Sequence, residues 1–477
     1  MVKFFNSLTR KKAALRPLKK GSVTMYNCGP TVYDYIHIGN LRSFLLADLL
    51  RRHLEHRGNE VVQIMNITDV GHMLADADVG EDKMEVAASK AGKTPQEVAQ
   101  FYTDSFFKDI ERIGIRRASA YPKASDHVPE MIAMIAKLLE NGCAYKVEDG
   151  SGGTSVYFDV SSFPGYGKLS GNKLDALDPG ARIEVRKEKK HPADFALWIH
   201  NPKHLMQWEA PWGKGYPGWH IECSAMATKY LGETIDIHTG GEDNKFPHHE
   251  CEIAQSECAT GRQFVNVWLH ATHLLVEGEK MSKSKGNFYT LDDLVAKGYA
   301  PRSVRYLLMS THYRQPLNFT LAGLDGAAAA LGRIDAFADA VRQATPKDAG
   351  MPDEAAKAAL KAFDKALDDD LNIAEALAAV FDYVRVANEA MAAGSLTKKG
   401  KAAAEAFIAA AGDVLGFAFG RAADEAEIPP SIMMLIEKRD AARAEKRFTE
   451  ADAIRDELVS KGYLVEDTPD GRRIKRT

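Results

Sequence analysis

SVTMYNCGPTVYDYIHIGN, residues 22–40, and VVQIMN, residues 61–66, decide the fold of the amino-terminal half. The first stretch begins with a short, largely apolar run that contains β-branched residues, and the second consists of such a run. Each run predicts a buried strand. Between them, a helical pattern runs from Leu41 to about Arg57. The result is a β-α-β unit, so we expect a parallel, doubly wound sheet. No G-x-G-x-x-G follows the first strand, so a dinucleotide fingerprint does not supply phosphate binding here.

The composition is that of an ordinary globular protein. With 477 residues, 45% hydrophobic and 27% charged, the chain has room for roughly three domains. No apolar run approaches the roughly 20 residues that span a bilayer, and the amino terminus lacks a secretory pattern, so we expect no membrane segment and a cytoplasmic location. The net charge of −4 does not exclude a nucleic-acid partner, since the distribution of charge matters more than its sum.

The remainder of the chain divides by pattern. Residues 75–142 have helical patterns, residues 148–177 resemble a β-rich insertion, and residues 234–238 and 265–273 predict strands that return to the sheet. Beyond Pro301, Ala-rich segments favour a helical bundle. Two further helices and a basic tail end the chain, and the tail contains Arg472, Arg473, Lys475 and Arg476.

Two short motifs suggest binding of phosphates. HIGN, residues 37–40, falls where the first helix should begin, and backbone N–H groups and the helix dipole favour anions there. Gly39 lets a ligand approach the backbone closely, and His37 can donate to a phosphate oxygen. KMSKS, residues 280–284, places two lysines among small hydroxyl residues, as suits a loop that closes over a triphosphate. Taken singly, each motif also fits a solvated loop.

Five cysteines in a chain without a secretory signal do not indicate a disulfide framework. Cys28 follows the first strand, and Cys223 ends the Trp-rich segment 208–223. His248 and Glu252 are four residues apart on an expected helix and therefore share a face. Two thiolates, an imidazole and a carboxylate suit zinc. Two alternatives stay open at this point: inert buried cysteines, and a closed Cys3His site that uses Cys251, with His249 and Glu250 also within reach.

The motifs together resemble the class I aminoacyl-tRNA synthetases, and the whole chain resembles the cysteinyl-tRNA synthetases. The resemblance covers essentially the full length and rests on the blocks CGPTVYDYIHIGN (28–40), NITD (66–69), ARIEV (181–185), PADFALW (192–198), PWGKGYPGWHIECSAM (211–226), GGED (240–243), FPHHECEIAQS (246–256), KMSKSKGN (280–287), DDDLNIAEALA (368–378) and ADAIRDEL (451–458).

The resemblance implies an α/β fold with a Rossmann-type catalytic domain, a small insertion, a helical bundle and an anticodon-binding domain. The expected bounds are 1–120 and 216–290 for the two catalytic halves, 121–215 for the connective insertion, 291–325 for a stem-contact region, 326–425 for a DALR-type bundle and 426–477 for the anticodon-binding domain.

It further implies a zinc-dependent cysteine–tRNA ligase, which forms cysteinyl-adenylate from L-cysteine and ATP with Mg²⁺ and then charges tRNA-Cys. One zinc ion per chain would be held by Cys28, Cys223, His248 and Glu252. Zinc binds sulfur strongly, and serine offers a poorly acidic hydroxyl instead, so such a site can reject serine by about 10⁴ without editing. The resemblance also suggests a monomer.

The remaining site residues follow from the same resemblance. ATP would contact His37, Gly39, Asn40, Gly240, Gly241, Asp243 and Lys283. Catalysis would depend on His37, Asn40, Lys280 and Lys283, and the cysteine pocket would include Tyr33, Thr68 and Trp219. Asn40 replaces the second histidine of HIGH, so it can donate a hydrogen bond but cannot become cationic. Ile474 stands where the family often has an aromatic residue, so base stacking is not assigned there.

Two other functions fit part of the pattern. A related cysteine ligase that acts on an amino-sugar in thiol biosynthesis would keep the zinc and nucleotide motifs but needs no anticodon module. An inactive paralogue that binds RNA would keep the fold. The block 451–458 and the basic tail argue against the first, and the intact KMSKS argues against the second.

Overall fold

The computed structural model describes residues 1–71, 82–148, 152–172, 189–282, 285–347, 350, 353–420, 430–445, 447–461, 463–468 and 471–476. Lys283 and the block 181–185 lie outside these residues, as do the side chains of the basic tail.

The strands are β1 (Lys3–Asn6), β2 (Lys11–Ala14), β3 (Ser22–Asn27), β4 (Glu60–Met65), β5 (Ala144–Glu148), β6 (Thr154–Phe158), β7 (Phe195–Ile199), β8 (Tyr216–Pro217), β9 (Ile235–Gly241), β10 (Val265–Ala271), β11 (Leu274–Val276), β12 (Glu279–Lys280), β13 (Leu317–Phe319), β14 (Tyr463–Thr468) and β15 (Gly471–Arg476).

The α-helices are α1 (Ile38–His56), α2 (Lys83–Ala91), α3 (Pro95–Arg112), α4 (Val128–Glu140), α5 (Trp219–Leu231), α6 (His248–Thr260), α7 (Leu291–Ala296), α8 (Pro301–Met309), α9 (Leu321–Gln343), α10 (Glu354–Asp368), α11 (Ile373–Ala392), α12 (Lys398–Leu415), α13 (Pro430–Ala444) and α14 (Phe448–Ser460).

The central sheet is parallel, with strand order β10-β9-β3-β4. From β3 the chain crosses through α1 to β4 on one side, and from β9 it crosses through α6 to β10 on the other. The direction of winding therefore changes between β3 and β9, and a crevice opens at the carboxyl ends of strands at such a point. The doubly wound sheet expected from residues 22–66 is confirmed, and it fixes where a ligand can enter.

Residues 144–217 contain an antiparallel sheet of order β5-β6-β7-β8. The β-rich insertion predicted over 148–177 is wrong in its bounds, because within its described residues only β6 and the end of β5 are strands, and β7 and β8 come later in the chain. The last strand of this sheet, β8, is linked to α5 by a single residue, Gly218. A Cβ at Gly218 would lie 2.0 Å from the carbonyl oxygen of Ala196 on β7. Only glycine fits this approach, so the start of α5 is held tightly against the inserted sheet.

A buried charge network ties α1 to the helices that follow the sheet. Asp48 on α1 is fully buried and accepts hydrogen bonds from Arg52 Nε at 2.8 Å and from Arg305 on α8. Arg305 is 1% exposed, and its Nε donates to Leu415 O on α12 at 2.8 Å. Arg305 therefore joins three elements that are far apart in sequence, α1 through Asp48 and α12 through Leu415 O to its own helix α8.

The turn between α10 and α11 is anchored to the amino-terminal half. Asp370, in the DDDLN block, has a φ of 67°, a conformation that is uncommon for a residue with a Cβ. Its buried carboxylate accepts from Phe5 N at 2.8 Å and from Tyr313 Oη at 2.6 Å. These bonds, which fix the bundle against β1, explain why the backbone holds this conformation.

The carboxy-terminal unit comprises α13, α14 and the hairpin β14–β15. It has a small apolar core of its own, formed by Ile432, Ile436, Leu458, Tyr463 and Val465. Ile474 packs against this core opposite Val465. No helix within the described residues combines the length and apolar composition needed to cross a membrane.

Asp109 on α3 gives a pH-dependent prediction. Burial, reinforced by Asp292, raises the pKa of its carboxyl to about 6. Between pH 4 and 6 the folded chain therefore binds a proton that the unfolded chain releases, so this group's contribution to stability falls as pH rises through that window. Asp109→Asn should increase the free energy of unfolding at pH 7 by about 1–2 kcal/mol and leave it nearly unchanged at pH 4. Urea unfolding at both pH values measures this.

Asp104→Asn is the matched control, because Asp104 is an exposed carboxylate on the same helix. Equal effects of Asp109→Asn at the two pH values would contradict the assignment to this carboxyl.

Candidate metal centre and nucleotide site

Four predicted metal-binding side chains meet at the carboxyl ends of β3 and β9. Cys28 immediately follows β3, Cys223 lies on α5, and His248 and Glu252 lie on α6. One donor atom from each lies within 4.8 Å of the others. The structure thus brings together all four residues named from the sequence.

Individual contacts define the cluster further. His248 Nε2 lies 3.1 Å from Glu252 Oε1, as expected for residues four apart on a helix. Cys28 Sγ lies 3.9 Å from the same oxygen, and the thiols of Cys28 and Cys223 are in hydrogen-bonding contact. Cys223, His248 and Glu252 are buried, while Cys28 is partly exposed. Among these four side chains, Cys28 is the one that is accessible to solvent.

A second donor set shares two of these residues. Cys28, His238, His249 and Glu252 also place donor atoms within 4.8 Å of one another. Cys28 Sγ lies 3.1 Å from His249 Nε2, and His238 Nε2 lies 3.0 Å from Glu252 Oε2. His238, in the middle of β9, was not named as a ligand from the sequence. Because Cys28 and Glu252 belong to both sets, the imidazoles of His238 and His249 lie beside the first set.

The electrostatics of the cluster favour a cation. Burial opposes charge on His248, but Cys223 and Glu252 outweigh it and raise the pKa of His248 to about 10. Burial likewise opposes charge on Glu252, yet His238 and His248 outweigh it and lower the pKa of Glu252 to about 2. Burial raises the pKa of the Cys28 thiol, whereas the hydrogen bond from Cys28 lowers that of Cys223. The buried carboxylate of Glu252 is thus held ionised by its contacts with His238 and His248.

The alternative site built on Cys251 is not formed. Cys251 Sγ lies 3.4 Å from Tyr166 Oη, and Glu250 accepts backbone N–H groups from Leu169 and Ser170. Both side chains contact the segment between β6 and β7. Among the described residues, neither belongs to a potential metal-binding set.

The HIGN segment caps α1. His37 Nδ1 accepts the N–H groups of Gly39 at 3.1 Å and Asn40 at 3.3 Å, and Asn40 Oδ1 accepts His37 N at 3.0 Å. Because Nδ1 accepts, the neutral ring carries its proton on Nε2, which can then donate to an anion. Asn40 therefore has a structural role that its replacement of the second HIGH histidine did not suggest.

The two phosphate motifs lie against each other. A Cβ at Gly39 would lie 3.4 Å from Met281 Cε, and Ile38 N donates to Tyr289 O at 3.0 Å. The ring of Phe288 lies 5.0 Å from that of His37. Lys280 is on the exposed strand β12, and Lys283 is outside the described residues. Residues about half the chain apart thus form one surface.

The three residues expected to contact adenosine lie at the carboxyl end of β9 and just after it. Gly240 and Gly241 end β9, and Asp243 is exposed on the short 3₁₀-helix after it. A Cβ at Gly241 would lie 3.4 Å from Ser43 Oγ on α1. Gly241 therefore faces α1, whereas a Cβ at Gly240 would lie 2.7 Å from His249 Cε1 on α6, too close to be accommodated without a shift.

The expected cysteine-pocket residues lie on both sides of the cluster. The Trp219 ring is 4.4 Å from the His248 ring. Thr68 is buried, and its hydroxyl donates to Glu222 Oε2 at 3.0 Å. Its backbone N–H bonds Pro30 O at 3.0 Å in the loop that bears Tyr33, which places that loop beside the 66–69 block.

Comparison with known proteins places this site in a family. The family described as tRNA synthetases class I (C) catalytic domain matches residues 14–329, the DALR domain matches 362–420, and the cysteinyl-tRNA ligase anticodon binding domain matches 425–474. A cysteine–tRNA ligase of Carboxydothermus hydrogenoformans is 44% identical over 485 residues, with 100% of both chains covered. The chain belongs to the cysteine–tRNA ligase family.

Other relatives of the cysteine–tRNA ligase family agree. The enzyme named cysteine–tRNA ligase from Thermus thermophilus is 44% identical, and the match covers 98% of each chain. Among solved structures, methionyl-tRNA synthetase of Mycobacterium tuberculosis bound to methionyl-adenylate has a TM-score of 0.59 at 15% identity, covering 83% of this chain and 89% of that one. The latter likeness shows the class I synthetase fold.

Around the donor cluster, this member of the cysteine–tRNA ligase family has a chain of buried histidines that sequence reasoning largely missed. His220 Nδ1 lies 3.0 Å from His248 Nδ1, and His249 Nδ1 lies 2.8 Å from His270 Nε2. His270 Nδ1 in turn lies 2.8 Å from Ser7 Oγ. Partners of this kind orient metal ligands and tune them. Only the block FPHHECEIAQ gave a signal, by naming His249 as an alternate.

Proposed function

We propose that the chain is a zinc-dependent cysteine–tRNA ligase, which activates L-cysteine with ATP and transfers it to the 3′-terminal adenosine of tRNA-Cys. The observation that carries the proposal is the four-donor cluster at the sheet crevice, next to the joined HIGN and KMSKS segments. Full-length similarity to cysteine–tRNA ligases supports it.

The donor set fits zinc. Two thiols, one imidazole and one carboxylate are typical zinc ligands, and their closeness and burial suit a site of this size. Zinc bound by Cys28, Cys223, His248 and Glu252, one ion per chain, would supply a Lewis acid for the sulfur of substrate cysteine. The ring of Trp219 beside His248 would form an apolar wall, and Tyr33 and Thr68 would orient the amino acid backbone.

The amino end of α1 would hold the phosphates of ATP. His37, through Nε2, and Asn40, through its side-chain Nδ2, would donate hydrogen bonds to the phosphate oxygens. Gly39 keeps the surface close to the backbone, and Gly240, Gly241 and Asp243 would contact adenosine. With Mg²⁺, Lys280 and Lys283 would offset the charge that develops on pyrophosphate.

Positioning and electrostatics can account for both steps, so we assign no general base. The carboxy-terminal unit, which matches an anticodon-binding domain, would bind tRNA-Cys. We further propose a monomeric, cytoplasmic enzyme.

The direct test is transfer of labelled cysteine to a tRNA-Cys transcript with ATP and zinc, with serine in parallel. Charging with cysteine, and at least about 10⁴ times less with serine, is the expected result. Cysteine-dependent pyrophosphate exchange without charging would instead favour the amino-sugar ligase. Zinc binding with neither activity would favour the inactive paralogue.

Lys283→Ala should lower the kcat of cysteine-dependent pyrophosphate exchange about a hundredfold, because a positioned cation stabilises charge that appears only in the transition state. The KM for cysteine should change little. Lys285→Ala is the matched control, since Lys285 is exposed and its Nζ bonds Glu279 at 2.7 Å. An effect confined to the KM for cysteine would contradict the assigned role.

A further inference from the structure

An exposed cluster of aromatic rings lies outside the site described above. Tyr35 is 43% exposed and Phe101 is 46% exposed, and each ring packs edge-on against the ring of Tyr102 at 5.1 Å. The rings of Tyr35 and Phe101 are themselves 6.1 Å apart. We call Tyr35, Phe101 and Tyr102 the aromatic platform. Its edge-to-face packing is stable in itself and leaves ring surface exposed to solvent.

Lysine side chains accompany the platform. Lys93 Nζ lies over the ring of Phe101 at 5.3 Å, and Lys83 Nζ lies over the ring of Tyr33 at 5.6 Å, in the same loop as Tyr35. Such cation–π pairs place positive charge at the edge of an aromatic surface. Rings interleaved with cations suit a strand that offers flat bases and phosphates, whereas an apolar protein partner would need no cations.

The platform is continuous with the nucleotide site. Tyr35 is two residues before His37, which caps α1. Phe101 and Tyr102 are on α3, and α3 packs against α1 through Phe106 and Phe44, whose ring centroids are 5.6 Å apart. The platform is therefore built on α3 and on the loop that leads into α1, and the packing of α3 against α1 holds it beside the His37 segment.

We propose that the aromatic platform stacks unpaired bases at the acceptor end of tRNA and so guides the terminal adenosine to the adenylate. The inference rests on the proposed function, because that function brings a single-stranded nucleic acid end to this entrance. Stacking on an aromatic side chain contributes about 1–3 kcal/mol per base, which is about five- to 140-fold in affinity. Every base has a flat face, so the contact is tolerant of sequence.

The test uses the full chain and tRNA-Cys with 2-aminopurine in place of the unpaired base next to the acceptor stem. Stacking on the platform quenches this fluorophore in the wild-type complex. Phe101→Ala and Tyr35→Ala should relieve the quenching and raise the Kd for tRNA at least about fivefold. Phe101→Tyr and Tyr35→Phe keep the rings and should behave as wild type. Pyrophosphate exchange, which needs no tRNA, should not change in any of the four.

Two controls make the result specific. Tyr230→Ala removes a ring of similar exposure, 42%, that packs against His127 outside the platform, and it should leave the Kd unchanged. A tRNA that lacks its unpaired 3′ nucleotides should bind wild type and Phe101→Ala equally. A Phe101→Ala variant with wild-type quenching and Kd would overturn the proposal, as would an equal loss of affinity for the shortened tRNA.

The outcomes separate this inference from the proposed function. Absence of cysteine-dependent pyrophosphate exchange in the wild-type chain would contradict the ligase proposal. The fluorescence and Kd measurements do not depend on catalysis. Quenching that requires Phe101 would support the platform even then.

Discussion

Cys223→Ser is expected to remove zinc from the chain and to lower cysteine-dependent pyrophosphate exchange about a thousandfold or more. The substitution keeps the shape of the side chain but replaces a sulfur ligand by a hydroxyl that zinc binds poorly. A site built around one specific contact loses about 10⁴–10⁵ when that contact cannot form. Metal analysis of the purified protein should show about one zinc per wild-type chain and close to none in the variant.

Cys258→Ser is the matched control, because Cys258 is on α6 like the two ligands His248 and Glu252 but belongs to neither donor set. It should retain zinc and exchange activity. A Cys223→Ser protein with full zinc content would contradict the proposed ligand set, and one with full activity after loss of zinc would contradict the role of the metal.

Arg305→Met should reduce the free energy of unfolding by about 3–5 kcal/mol, the cost of removing one partner from a buried ion pair. The substitution leaves the carboxylate of Asp48 buried, with Arg52 Nε at 2.8 Å and Arg116 N at 2.9 Å as its remaining partners. It also leaves the carbonyl oxygen of Leu415 without its bond from Arg305. Urea unfolding followed by circular dichroism would measure the loss.

Arg385→Met tests whether any arginine on a helix has this effect. Arg385 pairs with Glu389 on α11, but the two side chains are 62% and 66% exposed, and such pairs contribute less than about 1 kcal/mol. In the double variant Asp48→Asn/Arg305→Met the loss should be smaller than the sum of the single losses. Additive losses would show that the two residues do not act as a pair.

The fold was largely predictable because its elements have local signals. Residues 22–66 predicted β3, α1 and β4, and the Ala-rich segments predicted the bundle helices. The start of α1 was placed at Leu41, three residues too late, because histidine is not among the usual capping residues. Only the reciprocal bonds of His37 and Asn40 reveal the true start. The domain bounds proposed from the sequence stay predictions.

The donor set was named from the sequence, but its surroundings were not. His238 reads locally as part of a buried strand, TIDIH. It reaches Glu252 because α6, the helix that follows β9, packs back against that strand, and Nε2 of His238 lies 3.0 Å from Glu252 Oε2. The pairing of Asp48 with Arg305, 257 residues apart, likewise leaves no local signal. Contacts that depend on the order of strands and the packing of helices become visible only in the folded chain.

The reciprocal cap at His37 and Asn40 would affect the entropic cost of nucleotide binding. Both side chains are already held by the backbone groups of the first turn before any nucleotide is present. A mobile loop would have to give up conformational entropy on binding, at about 1–2 kcal/mol per residue ordered. Here that ordering takes place during folding, so under the proposed function the binding of ATP would not carry this entropic cost.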